Sequence, residues 1–182
     1  MTPLAIPEVL LITPKRHGDA RGWFSETWSR RAFEASGLSH DFVQDNQAFS
    51  ARPGTVRGLH FQAAPAAQAK LVRVLKGAIY DVAVDIRAGS RTFGQWVAAT
   101  LTAEGGEQLL VPRGFAHGYC TIEPDTELFY KVDGPYAPET EGGICWNDPD
   151  LAIDWPVTAA AAILSDKDQV LPRLKDLPPV RF

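Results

Sequence analysis

The sequence predicts an all-β fold, a sandwich or barrel of short strands with short helices at its edge. Short strand-like runs follow one another through residues 42–49, 55–62, 69–76, 79–86, 92–101, 108–111, 116–122 and 127–132. Many short strands at such close spacing suggest a sandwich or barrel. Gly or Pro stands between most of them, where tight turns require it. No strand–helix–strand alternation is visible, which excludes a doubly wound α/β sheet.

Taken in order, residues 9–13 read as a first strand closed by Pro14. Residues 17–26, His-Gly-Asp-Ala-Arg-Gly-Trp-Phe-Ser-Glu, interleave charges and aromatics with glycine. That composition predicts a loop, either a ligand-binding one or a solvated turn with Trp23 or Phe24 tucked inward. Residues 29–36 predict a short helix ended by Gly37, with Ala32, Phe33 and Ala35 on its apolar side.

The run from Gly54 to Gln62 opens on the turn signal Pro53-Gly54 and carries Arg57 and His60. Histidine has the unperturbed pKa suited to proton abstraction near neutral pH, and arginine is a fixed anion clamp. Strict alternation puts the two on opposite strand faces, unless Gly58 holds a bulge that returns both to one side. The competing reading is a core strand with a satisfied histidine and a surface arginine. In residues 70–75 Lys70, Val72 and Val74 share one face, with Leu71, Arg73 and Leu75 on the other. Asp81, Ala83 and Asp85 share a face opposite Tyr80, Val82, Val84 and Ile86, and so either meet solvent or line a polar cavity.

After Asp133, repeated Pro and Gly mark a loop-rich region. Residues 159–162 predict a helical turn. Ser165 followed by Asp168 resembles a helix start, which gives Asp168 a structural role in its own right. The Pro-rich tail, residues 171–182, is expected to pack along the surface. No internal linker or low-complexity run appears, so a single domain spanning 1–182 is expected.

Apolar content of 45% and charged content of 22% are ordinary for a soluble globular protein. A net charge of −4 argues against general nucleic-acid binding, so an anionic ligand must meet a local cationic cluster. No secretory signal or membrane-spanning run is present, and no membrane partner is expected. Cys120 and Cys145 make no disulfide framework; both are expected to be buried thiols in a reduced, cytoplasmic compartment.

Two half-motifs, Gly54-x5-His60-x-Gln62 and Gly106-x5-Pro112-x-Gly114-x2-His117, resemble those of the cupins, a family of small β-barrels. In metal-binding cupins the first motif supplies two histidines and a glutamate. Here Gln62 stands at the second histidine position and Ala66 and Ala67 where the glutamate belongs. His60 and His117 alone do not make a firm site, so a barrel without a metal is expected.

A longer series of motifs carries a more specific resemblance. It includes Asp19-x-Arg21-Gly22-x-Phe24-x-Glu26, Gln44-Asp45-Asn46 and Arg57-Gly58-Leu59-His60-Phe61-Gln62. It continues through Gln68-Ala69-Lys70-Leu71-Val72-Arg73-Val74, Pro112-x-Gly114-Phe115-Ala116-His117-Gly118 and Tyr130-Lys131. It ends in Tyr136-Ala137-Pro138, Glu141-Gly142, Trp146-Asn147-Asp148-Pro149 and Leu164-Ser165-x-Lys167-Asp168. In this order, nearly end to end, the chain resembles the dTDP-4-dehydrorhamnose 3,5-epimerase family. The resemblance implies a cupin-type jelly-roll barrel and a homodimer without metal or organic cofactor. It implies inversion of C3 and C5 of a 4-keto-6-deoxyhexose carried on dTDP.

The residue types suit that chemistry. A C–H beside a ketone is acidic because its anion delocalises as an enolate, so a base, an enolate donor and an opposite-face acid are needed. The resemblance makes His60 the base and Tyr130 the acid. Asp168 then orients His60, as the acid of a triad does, and Lys70 is the donor to the enolate oxygen. Arg21 and Arg57 suit the diphosphate, with Lys167 beside them. Gln44 and Asn46 offer amides to the nucleotide, and Glu26 accepts from base or sugar. Phe24 and Tyr136 suit stacking on thymine, although Pro135 bears on where Tyr136 points. Glu141 and His117 match binding positions, His117 near the sugar. The alternatives are a single-carbon epimerase or 3,4-ketoisomerase on the same barrel, and a non-catalytic sugar-binding cupin.

Overall fold

A computed structural model describes residues 1–182. The strands are β1 (Thr2–Pro3), β2 (Leu10–Ile12), β3 (His17–Asp19), β4 (Gly22–Phe24), β5 (Gln44–Ser50), β6 (Val56–Gln62) and β7 (Lys70–Lys76). They continue with β8 (Ala78–Asp85), β9 (Trp96–Thr102), β10 (Gln108–Val111), β11 (Phe115–Thr121), β12 (Thr126–Val132) and β13 (Glu141–Gly143). Two short helices, α1 (Arg30–Ala35) and α2 (Asp166–Gln169), lie between strands and near the C-terminus.

One sheet runs β1-β2-β10-β7-β12-β5 and the other β13-β6-β11-β8-β9. The pairings within both are antiparallel, as short connections between sequential strands favour. The inward rows meet in the main core: Val72, Val74, Leu109 and Leu128 from the first sheet face Ile79, Ala83, Val97 and Leu101 from the second. A side chain such as Leu101, wholly buried, contributes about 2 kcal/mol through its lost contact with water. The alternation read for residues 70–75 holds, since Val72 and Val74 enter this core while Leu71 packs outward against Ile12, Phe33 and Leu110.

The outer face of the second sheet is also apolar. Val82, Val84 and Ile86 are covered there by Leu151 and by Leu174, Leu177 and Val180 of the tail, as expected of a tail packing along the surface. Asp81 and Asp85 are fully buried, so their face lies inside the barrel and not in solvent. Arg87, Ser90 and Thr92 satisfy Asp85 with donors at 2.5–2.9 Å.

Several expectations are corrected. Residues 17–26 hold a two-stranded hairpin, β3–β4, and neither Trp23 nor Phe24 is tucked inward. Residues 92–95 form a turn, because Gly94 takes a positive φ and delays the strand to Trp96. In α1 only Phe33 is buried; Ala32 and Ala35 face out, since so short a helix turns one side chain into the core. Cys120 is buried, and burial pushes its thiol up to about 11; Cys145 is partly exposed in a loop. No helix is long and apolar enough to cross a membrane.

Candidate active site

The inward rows that build the core end in polar groups at one end of the barrel. Lys70 precedes Val72 on its face of β7, and Tyr130 follows Leu128 on its face of β12. Across from them, β6 and β11 pair His60 with His117 and Arg57 with Tyr119, with a register shift between. Arg57 to His60 therefore spans one residue more than its partner segment, which is a β-bulge. The bulge brings Arg57 and His60 into one cavity against strict alternation. It depends on Gly58, whose φ is +123° and whose peptide to Leu59 is cis. A Cβ there would sit 2.6 Å from Gly118 Cα and 2.8 Å from His117 O.

The cavity encloses about 350 Å³. Arg57, His60, Lys70, His117, Tyr119, Tyr130, Lys167 and Asp168 give it polar groups; Ala48, Val56, Ile163 and Leu164 give it an apolar wall. His60 Nε2 lies 2.6 Å from Asp168 Oδ1. The helix-start reading of Asp168 also holds, because its amide donates to Ser165 Oγ at 3.2 Å. Backbone and side chain thus serve different ends, the amide starting α2 and the carboxylate reaching His60. Burial alone would raise this carboxyl, but the bonds from His60 and from Ser165 leave it below its ordinary value. A carboxylate only accepts, so Nε2 carries the proton and Nδ1 keeps the free lone pair.

The opposed histidine has the same kind of partner. His117 Nε2 lies 2.7 Å from Asp81 Oδ1, and both side chains are buried. Burial lowers His117 against the pull of Asp81, which favours the neutral ring. Lys70 Nζ is 3.5 Å from the His60 carbonyl oxygen. Burial pushes its ammonium down to about 8, although the Asp81 and Glu141 carboxylates favour the charge. Burial raises Tyr130, with Arg57 opposing, so its hydroxyl stays protonated at neutral pH.

A smaller adjoining cavity of about 140 Å³ shares His60, Lys70 and Tyr130 and adds Gln44, Asn46, Tyr136 and Glu141. Gln44 donates to Asn46 Oδ1 at 2.8 Å and accepts the Tyr136 amide at 3.2 Å. Glu141 pairs with Lys167 at 2.5 Å and accepts from the Tyr136 hydroxyl at 3.1 Å. Burial alone would raise Glu141, but these two partners leave it lowered. Gln62, at the cupin ligand position, is spent on the chain itself. It donates to Ala66 O and Pro135 O and accepts from Ala137 N, tying down the loop that carries Tyr136.

No group of three or more His, Cys, Asp or Glu side chains is placed to hold a metal ion, and the Nε2 atoms of His60 and His117 are both taken by carboxylates. Arg21, Phe24 and Glu26 line neither cavity. They belong to the exposed β3–β4 hairpin and the stretch after it: Arg21 pairs with Asp19, Phe24 is 72% exposed and Glu26 accepts from Ser29 Oγ. Tyr119 was not singled out from the sequence, yet it lines the cavity with its hydroxyl pushed up to about 12 by burial. Alternation along β11 was the available signal, since it puts Tyr119 on the face of His117.

Fold and site together define a cupin-type barrel equipped for acid–base chemistry, with two carboxylate–imidazole pairs, a half-buried lysine and a half-buried tyrosine about one cavity. The dTDP-4-dehydrorhamnose 3,5-epimerase family model matches residues 3–176. The chain belongs to that family. It is 52% identical over 169 residues to the dTDP-4-dehydrorhamnose 3,5-epimerase of Pseudomonas aeruginosa, covering 92% of each chain. The crystal structure of the same enzyme from Bacillus anthracis, with TDP and PPi bound, is 50% identical with a TM-score of 0.90, over 93% of this chain and 96% of that one. The dTDP-6-deoxy-D-glucose-3,5-epimerase of Legionella pneumophila, in complex with dTDP-4-keto-L-rhamnose, is 41% identical with a TM-score of 0.93, over 100% and 97%.

Proposed function

We propose that this chain is an isomerase that inverts C3 and C5 of dTDP-4-dehydro-6-deoxy-D-glucose, giving dTDP-4-dehydro-L-rhamnose. The observation that carries the reading is the His60–Asp168 pair sharing a cavity with Tyr130 and Lys70. His60 Nδ1 takes the proton from the carbon beside the ketone. The electron pair moves onto the ketone oxygen, where the Lys70 ammonium donates to the enolate. Tyr130 returns a proton to the carbon from the opposite face, and solvent then resets both groups. The residues themselves supply each step.

Arg57 and Lys167 supply cations for the diphosphate despite the acidic whole. Gln44, Asn46, Tyr136 and Glu141, about the adjoining cavity, take the nucleoside, and His117 takes a sugar hydroxyl. Arg21, Phe24 and Glu26 act from a second copy of the chain, in a homodimer that closes the open side of the cavity. Their exposure, on a hairpin and the stretch after it that line neither cavity, supports this. The cytoplasm, where sugars are activated on nucleotides, is the expected place of action.

The test is turnover of the keto sugar in deuterated water, followed by NMR. Deuterium at both C3 and C5 is expected. Label at one carbon makes the chain a single-carbon epimerase, and label at neither makes it a binding protein.

A further inference from the structure

We infer that Asp81 is a positioning residue for this reaction, one carboxylate oxygen fixing the His117 ring and the other acting as counter-charge to the Lys70 ammonium inside the barrel. The inference deepens the proposed function and rests on it for the identity of the substrate. Asp81 lies mid-strand in β8, opposite Tyr119 and Ala99, and is wholly buried. Its inward neighbours Ile79 and Ala83 belong to the apolar core. A carboxylate in such a place costs much free energy unless it is partnered on both oxygens. Oδ1 has His117 Nε2 at 2.7 Å. Oδ2 is buried without a hydrogen-bond partner. A core that needed only apolar filling would hold Val or Leu there.

Two consequences follow. Since Oδ1 only accepts, His117 holds its proton on Nε2 and presents Nδ1 as a lone pair, so the ring is an acceptor for a sugar hydroxyl and not a donor. Oδ2 leaves the carboxylate's charge unspent on any hydrogen bond, and that carboxylate favours the charged form of Lys70, whose only side-chain hydrogen bond is the 3.5 Å contact to the His60 carbonyl. Lys70 shares its two cavities with the titratable groups Arg57 and His60 of β6, His117 and Tyr119 of β11, Tyr130 of β12, Tyr136, Glu141 of β13, and Lys167 and Asp168 of α2. Of the carboxylates, Asp81 and Glu141 are the ones that favour its charged form. Glu141 is already paired with Lys167, whereas Oδ2 of Asp81 is not paired.

The discriminating variant is Asp81→Asn, whose amide oxygen still accepts from His117 but carries no charge. With a folded protein, kcat should fall about tenfold or more while KM changes less. The alkaline limb of the kcat profile should move to lower pH, because Lys70 loses its proton more easily. Lowered activity with the limb unmoved would overturn the inference, since a merely structural Asp81 would not move it. A second measurement needs neither folding of a variant nor substrate: ¹⁵N NMR of histidine-labelled wild-type protein. His117 protonated at Nε2 is expected; protonation at Nδ1 overturns the inference. Wild-type protein that turns over no keto sugar but shows the Nε2–H tautomer would defeat the proposed function and leave the Asp81 geometry standing.

Discussion

His60 and Asp168 are 108 positions apart in the chain and meet at 2.6 Å, Nε2 to Oδ1. The pair joins the bulged strand β6 to the first turn of α2, so the proposed base and its proposed orienting acid come from elements that contact each other through few residues.

Replacing the acid separates orientation from binding. Asp168→Asn keeps the volume but not the obligate acceptor, so the His60 ring is free to take the wrong tautomer. A loss of about 10²–10⁴ in kcat is expected with KM little changed, as for the orienting acid of a triad. The acid limb of stability should change too. The folded carboxyl is held below its ordinary value, so its contribution is full above about pH 4 and is lost as pH falls through the lower folded value. Thermal melting from pH 6 to pH 3 should therefore show a shallower acid decline in Asp168→Asn than in wild type.

Lys70 sets the opposite limb. Burial pushes its ammonium down to about 8, so if it is the proposed enolate donor, that donor is lost as pH rises through this value and kcat should decline above about pH 8. Between about pH 8 and the unfolded lysine's value near 10.5 the unfolded chain holds more protons, so this residue makes stability rise with pH there. At neutral pH the half-buried charge is a liability to the fold. Lys70→Met should raise the melting temperature while lowering kcat by about a hundredfold or more. A variant that melted lower would place the lysine among stabilising contacts instead.

Gly58 is the position where the backbone leaves no choice. At φ +123° a side chain is strained, and the Cβ would press on Gly118 Cα and His117 O, which are backbone atoms of a central strand and cannot swing aside. Gly58→Ala should cost about 2–4 kcal/mol or prevent folding. Denaturant melts would read it, and any folded fraction should show Arg57 and His60 decoupled as a raised KM together with a lowered kcat.

The strands were legible because alternation and turn residues act locally. The runs at 55–62, 69–76 and 79–86 match β6, β7 and β8 closely for that reason. The bulge was legible as a possibility, since glycine between Arg57 and His60 permits it, but the choice belonged to the facing strand β11. Asp81 and Asp85 were ambiguous from periodicity alone, which gives a face and not the side on which the second sheet lies. The β3–β4 hairpin was hidden by its composition: Gly18 and Gly22 read as loop, and its pairing buries nothing that a pattern would reveal. Tyr119 carries no signal beyond its place in the alternation of β11, where an aromatic fits a core role equally well.

The hairpin supplies the last prediction. Phe24 is 72% exposed and touches no core cluster, so Phe24→Ala should leave the melting temperature within about a degree or two of wild type, as for a surface site. If a second copy uses this hairpin, the same variant should raise KM for the nucleotide sugar severalfold. Mixing makes the assignment specific. His60→Asn lacks the base but keeps an intact hairpin, and Phe24→Ala keeps the base but lacks the ring. A mixed dimer restores one cavity with a base from one chain and an aromatic from the other. Co-refolding the two variants should therefore recover part of the activity at low substrate that neither shows alone. Recovery would not occur if each chain closed its own cavity, and a chain that stayed monomeric by ultracentrifugation would give none at any ratio.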